Sequence, residues 1–88
     1  MKKIGFVIAN HAEDFLSAYF VSDGIIQRSW AVTPELAHRF KTIEEADEAV
    51  NSLESGYPLF VLGISENKKR IGIYPPREGE YPKWLFED

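Results

Sequence analysis

The chain contains no cysteine. That absence excludes a disulfide scaffold, a thiolate zinc site, an iron–sulfur cluster and a cysteine nucleophile. No apolar run approaches the roughly 20 residues needed to span a bilayer as a helix. The 6 glycines are scattered. Neither Gly-x-Gly-x-x-Gly nor the P-loop pattern occurs, so no nucleotide-phosphate cradle is expected. No serine sits in a Gly-x-Ser-x-Gly elbow. Basic residues are the minority, 10 Lys and Arg against 14 Asp and Glu for a net charge of −4. General capture of DNA or RNA needs a basic footprint that this balance does not supply.

What is present is a core. The 88 residues are 44% hydrophobic and 14% aromatic, too apolar for intrinsic disorder. Surface scaling gives roughly 5,300 Å² exposed after folding, which buries roughly 64% of the chain's surface. That suffices for one domain. Lys2 and Lys3 followed by the apolar residues 4–9 mimic a secretory signal. Asn10, His11, Glu13 and Asp14 interrupt the run before it reaches h-region length. These residues read as a first strand, with a cytoplasmic location expected.

The local signals follow in order. Residues 15–22 alternate, with Phe15, Ser17 and Tyr19 on one side and Leu16, Ala18 and Phe20 on the other. Asp23 and Gly24 carry the type I′ turn signal, and residues 25–31 return as the partner strand. Thr33 and Pro34 read as an N-cap and first helical position opening a single turn through Leu36. Thr42 with Glu45 forms a capping box. Ile43, Ala46, Ala49, Val50 and Leu53 then share one face at the helical period. Gly56 is expected to end this helix, with Pro58 enforcing the stop. Residues 59–65 and 70–74 form two further strands around a polar turn, and Pro75 and Pro76 close the regular part.

The expected fold is α+β: an antiparallel sheet of about five strands with one amphipathic helix on one face, in the order β-β-β-α-β-β. Residues 1–76 form the domain. Residues 77–88 form an aromatic and acidic tail in which Tyr81, Trp84, Leu85 and Phe86 alternate with Glu78, Glu80, Glu87 and Asp88.

The stretch 30–46 joins a Trp-x-x-Thr turn (Trp30, Thr33), an Ala-x-x-Phe step (Ala37, Phe40) and a capped acidic helix beginning Thr42-Ile43-Glu44-Glu45-Ala46. This pattern resembles small orphan proteins of phages and mobile elements. The resemblance covers about a fifth of the chain and implies a host-takeover, anti-defence or regulatory accessory protein that acts by binding. It transfers no catalytic residue.

Chemistry has little to rest on. His11, Glu13 and Asp14 share a loop, but their spacing matches no metal motif, and a polar loop is the expected reading. His38, between Ala37 and Phe40, reads as a surface or partly satisfied histidine. The helix carboxylates lack an apolar pocket to raise a pKa. No enzymatic activity, cofactor or metal is therefore expected.

Charge is polarised. Glu44, Glu45, Asp47, Glu48 and Glu54 occupy residues 42–55 without a base among them, while Lys68, Lys69 and Arg70 gather at one turn. Large apolar side chains are worth roughly 1.5–3 kcal/mol each on burial. The tail must therefore cover its own sheet, a second copy or a partner, and it is expected to pack partly at home with Trp84 or Phe86 available to a neighbour. The expected function is a protein-binding or inhibitor module without enzymatic activity, of phage or mobile-element type and extending to anti-defence. Its candidate contact residues are Glu44, Asp47, Glu48, Tyr81, Trp84 and Phe86, with Glu44, Asp47 and Glu48 facing solvent. A homodimeric structural protein and a weak nucleic-acid binder using Lys68, Lys69 and Arg70 are the alternatives.

Overall fold

A computed structural model describes residues 2–86. Glu87 and Asp88, the last acids of the tail, lie outside the described residues. Five strands, β1 (Lys2–Asn10), β2 (Phe15–Ser22), β3 (Ile25–Ala31), β4 (Leu59–Glu66) and β5 (Ile71–Tyr74), form one antiparallel sheet in the order β3-β2-β1-β4-β5. One α-helix, α1 (Ile43–Leu53), and two 3₁₀ turns, Pro34–Leu36 and Lys83–Phe86, complete the described residues. The architecture is α+β. No helix among the described residues is long and apolar enough to cross a membrane.

The central strands explain the sequence pattern. Val7, Ile8 and Ala9 in β1 and Leu62 and Ile64 in β4 are buried, because the sheet is covered on both faces. Strands covered on both sides read as apolar runs rather than alternations. On one face α1 sets Ala46, Ala49 and Leu53 on Ile8, Leu16 and Phe40. On the other, Ala37, Trp84 and Leu85 pack with Val7, Ala9, Phe15, Leu62 and Ile64. The helix packs on one face only, and the C-terminal segment takes the opposite one.

Local chemistry sets the turns and caps. Asp23 and Gly24 both have positive φ, 52° and 76°, the conformation a type I′ hairpin requires. The Thr42 side chain accepts from the Glu45 amide at 3.1 Å, and the Glu45 carboxylate accepts from the Lys41 amide at 3.3 Å. This is a capping box displaced by one residue on its return arm. Thr33 makes no side-chain cap. The Pro34–Leu36 turn starts instead from proline's preset φ.

Four expectations need correction. The helix ends at Glu54, not Gly56: Glu54 is left-handed at φ 46°. The guanidinium of Arg28 then donates to the Leu53 carbonyl at 2.8 Å, placing a cation where helix carbonyls are unpaired. Ile43 and Val50 are half-buried, unlike the buried Ala46, Ala49 and Leu53 of the same face. Asp47 is half-buried and ion-paired rather than turned to solvent. The alternation of β2 also breaks. The register slips between Leu16 and Ala18, and the extra residue puts Leu16 and Tyr19 on the same helix-covered face.

A second irregularity shapes the sheet. Between Lys3 and Gly5 the register of β1 on β4 shifts, and Gly5 takes φ 145° with the Phe40 carbonyl so close that a Cβ would lie 2.8 Å from it. Only glycine tolerates both conditions. The approach lets Phe6 and Phe40 exchange backbone hydrogen bonds at 2.9 and 2.8 Å, while the His38 amide donates to the Leu16 carbonyl at 2.7 Å. The 37–40 segment thus wedges between β1 and β2, whose direct pairing is confined to Ala9 and Phe15. The β2–β3 hairpin diverges from the sheet beyond that point.

Candidate protein-interaction site

The tail residues separate into two groups. Trp84 belongs to the core: its indole N–H donates to the Asn10 carbonyl at 2.9 Å, and its ring meets Phe15 edge-on at 5.8 Å. Tyr81 and Phe86 are exposed and meet each other edge-on at 5.1 Å. Trp84 is therefore occupied at home, while Tyr81 and Phe86 remain at the surface. On the helix, Glu44 and Glu48 are exposed one turn apart.

Asp47 has a partner that its sequence position does not announce. The Arg77 guanidinium clasps its carboxylate with both terminal nitrogens, Nη1 to Oδ1 at 2.9 Å and Nη2 to Oδ2. This fork-to-fork geometry is the strong form of the pair. Glu80 stands 3.9 Å from the same guanidinium, and the charge of Glu44 also acts on it. Hydrogen bonding to Arg77 holds the Asp47 carboxyl below the usual carboxylate range, outweighing the opposing effect of partial burial. Asp47 in turn raises the already high pKa of Arg77. Three carboxylates thus surround one cation, and the cluster keeps surplus negative charge.

This cluster rims a groove of about 400 Å³ between α1, β4 and residues 77–80. Its floor is apolar, made by Val50, Leu59, Phe60 and Val61, with Asp47, Arg77 and Glu80 at the rim. The groove exists because β5 is short. It pairs only with Gly63–Glu66 of β4, so residues 59–62 extend beyond its cover. Arg77, Glu80 and the floor residues are the part missed from the sequence. The available signal was an isolated base directly after Pro75 and Pro76, among Glu78 and Glu80.

The remaining candidates lie elsewhere. His11 stacks at a tilt on Tyr57 at 5.2 Å, beside a cleft of about 310 Å³ that also receives Arg28, Trp30 and Glu54. Its loop is organised by the Asn10 side chain, which accepts from the Ala12 and Asp14 amides. His38 packs edge-on to Phe40 at 4.7 Å. Lys68, Lys69 and Arg70 are exposed on a turn, where the Asn67 side chain accepts from the Lys69 and Arg70 amides.

No protein family, curated protein or solved structure matches the chain.

Proposed function

We propose that the protein is a binding module without enzymatic activity that engages a basic segment of a partner protein through the groove between α1 and residues 77–80. The carrying observation is its charge and shape: an apolar floor rimmed by Asp47, Arg77 and Glu80, where carboxylates outnumber the cation, with Glu44 and Glu48 exposed along the adjoining helix. Lysine and arginine have aliphatic stems and charged heads, which suit such a floor and rim. Asp47 is held ionised by Arg77. Its charge is matched by that of Arg77, which leaves the exposed Glu44, Glu48 and Glu80 to attract a basic partner. In a phage or mobile-element setting, the consequence would be inhibition by occupancy of a partner's basic surface, including that of a defence protein.

Fluorescence anisotropy with a panel of lysine- and arginine-rich peptides tests this reading. Binding of at least one basic sequence is expected, weakening steeply with added salt because the rim charges are exposed. Glu44→Gln with Glu48→Gln should slow association several-fold while leaving the fold intact. Failure of every basic peptide, or binding indifferent to both substitutions and to salt, would overturn it.

A further inference from the structure

The two edges of the sheet are built differently. The β5 edge is only four residues long, preceded by Lys68, Lys69 and Arg70 and followed by Pro75 and Pro76. Shortness, cations and proline are the standard protections against edge-to-edge pairing. The β3 edge has neither shortness nor proline. It runs seven residues without proline or lysine, and the extra residue in its pairing with β2 lies on the β2 side. Its one charge, Arg28, already donates to the Leu53 carbonyl.

We propose that a second copy of the chain covers this edge, pairing antiparallel to β3 about a two-fold axis at Ser29 and joining two five-stranded sheets into one. Hydrogen-bond phase permits it. A two-residue hairpin closes on a hydrogen-bonded pair, here Ser22 and Ile25. Alternation then turns the backbone groups of Ile25, Gln27 and Ser29 toward β2, leaving those of Ile26, Arg28 and Trp30 facing outward.

Side chains select the register. An axis at Arg28 would set that cation against its own copy. An axis at Ser29 sets Arg28 opposite Trp30 of the second copy, a cation over an aromatic ring. The same register carries the hairpin tip of one copy to the base of the other hairpin. Ile25 is 63% exposed at the tip, and Val32 and Leu36 are 77% and 66% exposed at the base. Pairing sets Ile25 of one copy opposite Thr33 of the other. The helices do not obstruct it, because three strand spacings, roughly 14 Å, separate β2 from its symmetry mate and helices pack at 8–10 Å. The inference is independent of the groove, which lies on the far side of the sheet.

Light scattering coupled to size exclusion on the full chain should give about twice 10.1 kDa, with a melting temperature that rises with protein concentration. The register has its own test because the chain lacks cysteine. Ser29→Cys places two thiols across the axis and should cross-link to a covalent dimer under mild oxidation, whereas Gln27→Cys should not. Ser29→Lys should halve the mass without loss of secondary structure. A monomeric mass for the unmodified chain at high concentration would overturn the proposal. So would a dimer that survives Ser29→Lys and cross-links equally through either cysteine.

Discussion

The indole nitrogen of Trp84 donates to the main-chain carbonyl of Asn10, 74 residues earlier, at the C-terminal end of β1. One bond ties the Lys83–Phe86 turn to a central strand. Trp84→Ala should therefore destabilise the fold by about 3 kcal/mol, the lower part of the range for truncating a packed aromatic side chain. Trp84→Phe keeps most of the packing but removes the indole bond, leaving the Asn10 carbonyl only the longer 3.3 Å contact from the Glu13 amide, and should cost about 1 kcal/mol. Urea unfolding of both variants checks this. Equal losses would remove the hydrogen bond from the account.

Gly63 and Tyr74 are cross-strand partners, and the tyrosine ring lies over the glycine, with a Cβ there falling 2.1 Å from the ring. The Lys3 ammonium sits 5.0 Å from the centre of that ring. Gly63→Ala should cost about 1–3 kcal/mol by displacing the ring. Adding Tyr74→Ala should make the alanine at position 63 nearly harmless, a coupling that a double-mutant cycle in urea measures directly.

Glu54 caps α1 in the left-handed region and places a negative charge beside the helix carbonyl end. Both features are unfavourable for glutamate. Glu54→Gly should raise stability by about 0.5–1 kcal/mol, the relief exceeding the added freedom of the unfolded chain. A lower melting temperature in this variant would show that the glutamate side chain makes a contribution of its own.

Asp47 is expected to make stability depend on acid. Its carboxyl titrates below its ordinary value of 3.8, so the folded state binds that proton less readily than the unfolded state. The stabilisation it confers is complete above the ordinary value and is lost as pH falls through the lowered one. Asp47→Asn should melt below the parent at neutral pH, and the two curves should converge as pH falls through the lowered value. Added salt should narrow the neutral-pH gap, since both partners are more than a third exposed. A gap unchanged from neutral to strongly acidic conditions would show that the ion pair contributes nothing.

The features set by neighbouring residues were legible in the sequence. Asp23 and Gly24 make their hairpin because the pair tolerates positive φ locally. Thr42 and Glu45 start a helix because the cap bonds span only three residues. The face of Ala46, Ala49 and Leu53 follows from the helical period alone. The helix end was misplaced because the Arg28 contact that accompanies it is 25 residues distant in the chain, and no local signal favours Glu54 over Gly56.

The irregularities were not legible. The slip between Leu16 and Ala18 moves Tyr19 from the side of Phe15 to that of Leu16, and it depends on which residue of β3 stands opposite. The wedge of residues 37–40 requires Gly5 and Phe40 to meet across the sheet, a contact that neither segment encodes by itself.

Amino-acid order therefore determined the turn, the cap, the amphipathic helix, the apolar central strands and the acidic polarity, all of which are short-range or compositional properties. Tertiary structure decided which charges are neutralised, which aromatics are buried and which edge stays open. Asp47 loses its freedom only because residues 77–80 pass beside α1, and Trp84 leaves the list of available contacts only because Phe15 and Asn10 meet it on the second face of the sheet. The physical reason is range. Backbone propensity acts over a few residues, whereas burial and ion pairing depend on distances in space that chain separation does not reveal.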